Sequence, residues 1–143
     1  MPPPVSRLVV ASVGFAVALI AARIAVTGDL QFAFLLWNLF LASVPLVLSR
    51  GFARFERPGW LALGVGSAWL LFFPNAPYIL TDLVHLQVRP EAPYWFDLVL
   101  LLAAAGSGML GGRVALAEVH GTVRRGHGAR AGWSVAVGAL VLG

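Results

Sequence analysis

The first long apolar run of this chain is the feature that most constrains its fold. The run extends from Val5 to Val26 and is interrupted only by Arg7 near its start and Arg23 near its end. At about 1.5 Å of rise per residue, a helix of this length reaches across the ~30 Å hydrocarbon core of a bilayer. It is longer than the ~7–15 apolar residues of a signal peptide. The run therefore predicts an uncleaved first transmembrane helix.

The later apolar runs and the composition also indicate a membrane protein. Of 143 residues, 59% are hydrophobic and 11% are charged, whereas soluble domains carry about 25% charged residues. We expect an all-α, polytopic transmembrane helix bundle that forms a single integral membrane domain over residues 1–143. It has four full helices and a partial fifth, with a proline-broken interfacial helix after the third. The predicted bounds are 5–26, 30–48, 60–73 with a restart at 76–86, 94–116, and 132–143.

The arginines predict the orientation of the bundle. If four helices alternate across the membrane, eight of the ten arginines fall on one side, and only Arg23 and Arg89 fall on the other. The positive-inside rule then places the amino terminus in the cytoplasm and the protein in the cell membrane, crossing it several times. The net charge of +4 is explained in this way, so we expect the lipid bilayer as partner and no nucleic acid. A membrane-protein partner or a homo-oligomer stays open.

The stretch "LFFPNAPYILTDLVHL", residues 71–86, is called the proline segment below. The apolar run before it, from Trp60 to Phe73, would form a helix about 21 Å long, which is too short to cross the core. Asn75 is a good N-cap residue, and proline at position 77 is tolerated in a first helical turn. We therefore expect a second short helix to begin here, at the extracytoplasmic end of the third helix.

On such a helix, four polar residues form one stripe: Tyr78, Asp82, His85 and Arg89. Asp82 and His85 are three residues apart and are expected to meet. Asp97 begins the next helix at the same membrane face. These three ionisable residues are the candidates for catalysis, as a general acid and base set, or for a Zn, Mn or Fe ion. The alternative is that Asp82, His85 and Arg89 are solvated residues of an interfacial helix, and that Asp97 lies at a helix start, where the helix dipole favours it.

Asn38 is a polar residue within the second helix. An amide in hydrocarbon needs a partner, so we expect it to face the bundle and to hydrogen-bond another helix. The sequence does not identify a cofactor. The candidate binding residues are Asn38, Asn75, Tyr78, Asp82, His85 and Asp97.

Small residues recur four apart in the fourth helix. The motif "GSGMLG" at 106–111 matches a dinucleotide-binding pattern, but no strand precedes it, so that function is excluded. Stripes that include Ser107, Gly108 and Gly112 instead predict close helix packing. We expect them to pack against Gly64 and Ala68 of the third helix.

Three pieces of the chain resemble the family called domain of unknown function 1361, a group of prokaryotic polytopic membrane proteins. They are "LLWNLFLASVPL" at 35–46, "LLFFPNAPYILTDLVHL" at 70–86 and "YWFDLVLLL" at 94–102. The resemblance implies a membrane location but no activity. The family pattern continues past the last apolar run, so we expect this chain to be truncated. The signature that it implies lies at Asn38, Pro74, Asn75, Pro77, Tyr78, Asp82, His85 and Asp97.

Three functions agree with these residues. The first is a membrane protein with an extracytoplasmic polar pocket that binds or transports a proton, a cation or a small polar solute. The second is a membrane-embedded enzyme, metal-dependent or not, that acts on a lipid or a lipid-linked substrate. The third is a structural or assembly subunit.

Overall fold

The first helix ends at a glycine with a left-handed backbone. A computed structural model describes residues 3–55 and 59–142, and in it α1 extends over Pro3–Thr27. Gly28 has a φ of 67° and donates its N–H to the carbonyl of Ile24. A side chain is strained at such a φ, so glycine suits this helix end. Helix α2 then begins at Phe34, four residues later than predicted, and ends at Phe52.

The third membrane span changes its hydrogen-bonding pattern instead of stopping. Helix α3 covers Trp60–Phe72, α4 covers Asn75–Tyr78, and a 3-10 helix covers Ile79–His85. The two residues between α3 and α4 keep right-handed helical dihedral angles, so the chain is helical from Trp60 to His85. Pro74 therefore removes a backbone donor, but it keeps helical dihedral angles and does not end the helical span.

The next helix is longer than the sequence indicated. Helix α5 covers Tyr94–His127, 34 residues, whereas we predicted an end at Leu116 and a polar connection after it. The prediction was wrong because this polar stretch packs against α6, Ala129–Leu142. Gly128 separates the two helices with a φ of 88°, and basic residues in the last turn of α5 complement the helix dipole.

Helix α5 is the centre of the bundle. It contacts α1, α2, α4, the 3-10 helix and α6. Its small residues permit close contacts: a Cβ added to Gly108 would lie 2.5 Å from Ile79 Cγ2, and one added to Gly112 would lie 2.7 Å from Ala76 Cβ. The predicted partner patch on α3 was wrong, because Gly64 has nothing within 4 Å of its Cβ position. The small residues of α5 pack against the proline segment instead.

The fold class is confirmed in the part of the chain that the structure describes. Four helical spans are long and apolar enough to cross a membrane: Val5–Thr27, Phe34–Phe52, Trp60–His85 and Tyr94–His127. Many large apolar side chains on these spans point away from the bundle. A lipid environment removes the cost that such exposure has in water. The protein is an all-α helical bundle of the membrane-spanning kind.

Candidate functional site

Two arginines and one aspartate meet at the end of the bundle where α1 ends and α5 begins. Arg23 of α1 donates from Nε to Asp97 Oδ1 at 2.8 Å. Arg89, in the connection before α5, lies 3.6 Å from Asp97 Oδ2 through Nη1. The exposed fraction is 2% for Arg23 and 0% for Asp97. We call Arg23, Arg89 and Asp97 the arginine–aspartate cluster.

Local contacts hold Arg89 beside Asp97. An isolated antiparallel bridge pairs Arg89 with Ala92, which folds the connection back toward the start of α5. Nη2 of Arg89 donates to the carbonyl of His85 at 3.2 Å. The ring of Phe32 packs against both guanidinium groups. The distance from its centroid is 5.7 Å to Arg23 Cζ and 5.1 Å to Arg89 Cζ. Distances below about 6 Å allow a favourable cation–π contribution.

The arginine–aspartate cluster is incompletely hydrogen-bonded by the described residues. Four buried atoms lack a hydrogen-bond partner there: Nη1 and Nη2 of Arg23, Nη1 of Arg89, and Oδ2 of Asp97. The separation of 3.6 Å between the last two is an ion pair but too long for a hydrogen bond. A buried charged donor without an acceptor is costly. The unused N–H donors of the cluster therefore favour the binding of one further group that carries an acceptor oxygen.

A second buried contact joins α2 to the 3-10 helix. Asn38 donates from Nδ2 to Asp82 Oδ2 at 2.8 Å, and the exposed fraction of Asp82 is 5%. The expectation that Asn38 bonds another helix is confirmed. The alternative that Asp82 is a solvated interfacial residue is wrong, since Asp82 is buried, whereas Asp97 lies in the first turn of α5, as that alternative expected.

The remaining candidates of the proline segment do not join these groups in one stripe. The exposed fraction of Tyr78 is 61%, and Arg89 lies outside the helix. Asn75 does not cap α4; it donates from Nδ2 to the carbonyl of Phe72 at 3.0 Å and so satisfies the end of α3. The predicted single stripe and the predicted N-cap were both wrong.

His85 contacts neither carboxylate in the way that we expected. Its Nδ1 lies 3.2 Å from the backbone carbonyl of Asp82, and its ring packs against Phe34 with a centroid distance of 4.8 Å. Asp82 and Asp97 have different partners, Asn38 and Arg23. Across residues 3–55 and 59–142, no three His, Asp or Glu side chains are grouped closely enough to hold a metal ion.

Sequence reasoning missed the arginines of the site. We used Arg23 only to count charges on each side of the membrane, and we placed Arg89 in a stripe with Tyr78, Asp82 and His85 and not beside Asp97. The available signal was Arg23 itself, a charged residue inside an apolar run, because ionisable groups at membrane depth are costly and need a partner. The choice of Asp97 as that partner, 74 residues later in the chain, has no local signature.

Comparisons with known proteins give a family and no activity. The model of a family described as "Protein of unknown function (DUF1361)" matches residues 37–143. This range contains Asn38, Asp82, Arg89 and Asp97 and leaves Arg23 outside. Neither a curated protein nor a solved structure matches the chain. Because the match covers more than half of the sequence, the chain belongs to the DUF1361 family.

Proposed function

We propose that this multi-pass membrane protein binds a small polar solute that carries an anionic oxygen group, and that the arginine–aspartate cluster is its site. One observation carries the proposal: both terminal nitrogens of the buried Arg23 guanidinium lack an acceptor among residues 3–55 and 59–142. A guanidinium has five N–H donors in a planar fork, and Asp97 uses the one on Nε. Of the four others, one on each terminal nitrogen can donate to the two oxygens of a carboxylate or phosphate.

The charges of the cluster favour an anion over a cation. Arg23 and Arg89 contribute two positive charges, and Asp97 contributes one negative charge. A bare cation would meet net repulsion here, whereas an anionic group would meet attraction that burial strengthens. Of the solutes considered from the sequence, a proton, a cation or a polar solute, the geometry supports the polar solute best.

Asp97 has a positioning role in this proposal. It holds the Arg23 guanidinium through Nε, and its Oδ2 can accept a hydrogen bond from a protonated group of the solute. Arg89 comes from the connection between the 3-10 helix and α5, and its side chain, 10% exposed, is the most exposed of the three in the cluster. This supports the entry of a solute from the side of the site where Arg89 lies.

A structural role is the second candidate, and one observation favours it. The ion pair between Arg23 and Asp97 joins α1 to α5, which a latch between helices would also require. The enzyme hypothesis has less support, because the ring nitrogen of His85 contacts a backbone carbonyl and not a carboxylate.

A binding experiment with Arg89→Gln separates solute binding from the structural role. Purified protein in nanodiscs is titrated with acetate and with inorganic phosphate at constant ionic strength, and its unfolding temperature is measured. We expect at least one of these anions to stabilise the unsubstituted protein, by about 2.7 kcal/mol at 100 times its dissociation constant. Arg89→Gln should abolish the effect because it removes a donor and a positive charge.

Arg130→Gln is the matched control, because it removes one positive charge from an exposed position on α6. It should respond to anions as the unsubstituted protein does. If neither anion stabilises the unsubstituted protein, or if Arg89→Gln responds equally, the cluster is a latch and the binding proposal is wrong.

The proposed orientation, with the amino terminus in the cytoplasm of a cell that carries the protein in its plasma membrane, is tested by cysteine labelling. The chain has no cysteine, so Gln87→Cys and Gly126→Cys each introduce a single thiol at an exposed position. We expect an impermeant maleimide to label Gln87→Cys on intact cells and Gly126→Cys only after lysis. The reverse pattern would place the amino terminus outside.

A further inference from the structure

An open cleft lies at the opposite end of the bundle from the arginine–aspartate cluster. It has a volume of about 710 Å³ and is bounded by the start of α1, the end of α2 and residues 114–125 of α5. Three arginines line it: Arg50, Arg54 and Arg125. Val5 and Val114 are among its apolar walls. The cleft therefore combines basic groups with an apolar surface.

The charge of this cleft is positive after its acid is taken into account. Glu118 is the acid among the described residues of the lining. It accepts a hydrogen bond from Ser49 Oγ at 2.6 Å, and it lies 3.9 Å from Arg50 Nε. Arg125 donates from Nη2 to Thr122 Oγ1 at 3.3 Å. Among the described residues of the lining, three guanidinium groups against one carboxylate leave an excess of two positive charges, which attracts an anion.

The depth of the cleft along α5 places it at the level of lipid headgroups. Tyr94 and Trp95 begin α5 and have the character of interfacial anchors. About twenty residues of helix cover the ~30 Å hydrocarbon core, so the opposite boundary falls near residue 114. The cleft extends from that boundary over residues 114–125. The apolar residues of the cleft therefore lie beside the acyl chains of the lipids, and its arginines lie at the level of the lipid phosphates.

We propose that this cleft binds the phosphate of an anionic membrane lipid, with Arg54 and Arg125 as the principal donors. The lipid phosphate lies among the guanidinium groups, and the first carbons of the acyl chains lie against Val5 and Val114. A free phosphate ion would use the arginines but not the apolar walls. The combination of both surfaces favours the lipid. This site is independent of the solute site at the other end of the bundle.

Lipid selection by the purified protein tests the proposal. The protein is equilibrated with equal amounts of phosphatidylglycerol and phosphatidylcholine in detergent, and bound lipids are counted by native mass spectrometry. We expect retention of phosphatidylglycerol over phosphatidylcholine. The double variant Arg54→Gln with Arg125→Gln should bind phosphatidylglycerol about 25-fold more weakly, about fivefold for each arginine removed.

The control removes two arginines outside the cleft, through Arg113→Gln with Arg130→Gln, and has the same net charge as the test variant. It should keep the affinity and the preference of the unsubstituted protein. Millimolar inorganic phosphate should leave the bound lipid in place. An equal loss in the control, no preference for the anionic lipid, or displacement of lipid by inorganic phosphate would each overturn the assignment of a lipid site.

Discussion

Asp97→Ala is expected to lower the free energy of unfolding by about 3–5 kcal/mol, the cost of removing one partner of a buried ion pair. The substitution leaves the Arg23 guanidinium, 2% exposed, without its only described hydrogen bond. The change should lower the unfolding temperature in detergent by about 10 °C or more. Tryptophan fluorescence during heating measures this temperature.

A double variant, Arg23→Met with Asp97→Leu, tests whether the uncompensated charge is the cause. Replacing both members of a buried pair by apolar side chains of similar size is often nearly neutral. Arg89, whose side chain is 10% exposed and lies in a connection, can then turn toward water. We expect the double variant to unfold well above the Asp97→Ala variant. If the two unfold at the same temperature, the uncompensated charge of Arg23 is not the cause of the loss.

Gly108→Ala is expected to destabilise the bundle by about 1–3 kcal/mol, the usual cost of overpacking a core. The new Cβ would lie 2.5 Å from Ile79 Cγ2 and 3.1 Å from the carbonyl oxygen of Ala76. Neither atom is the end of a flexible chain, so the proline segment must move away from α5. Chemical denaturation in mixed micelles gives the change in free energy.

Gly106→Ala provides the matched control two residues earlier in the same helix. Nothing lies within 4 Å of the Cβ position of Gly106. Alanine is favoured over glycine in a helix by about 0.8–1.0 kcal/mol, so this variant should be as stable as the unsubstituted protein or more so. Equal destabilisation by both alanines would show that contact with the proline segment is not the reason for glycine at position 108.

The sequence was sufficient for those parts of the fold that depend on local properties. Apolar length predicted the membrane spans, and the amide of Asn38 correctly indicated a bond to another helix. The stripe on the proline segment failed because helix geometry changes after Tyr78. Four residues advance by about 40° in an α-helix but by about 120° in a 3-10 helix. Tyr78 and Asp82 therefore do not share a face, and Tyr78 is exposed while Asp82 is buried.

The arginine–aspartate cluster was beyond prediction for a different reason. Its members are Arg23, Arg89 and Asp97, which come from α1, a connection and α5. Their proximity depends on how the spans pack, and no spacing in the sequence records that packing. Local spacing instead suggested Asp82 with His85, whose side chains are not paired with each other.

The separation of Arg23 from Asp97 along the chain has a consequence for biosynthesis. A ribosome makes Arg23 first and Asp97 74 residues later, an interval of about 4–15 s at 5–20 residues per second. During this interval α1 enters the bilayer with a cation whose partner does not yet exist. Arg23 lies only four residues before the end of α1 at Thr27, so its long side chain can reach the interface and remain hydrated. The same charge in the middle of α1 could not reach the interface in this way. Stable insertion of the first helix would then require the fourth span, which carries Asp97.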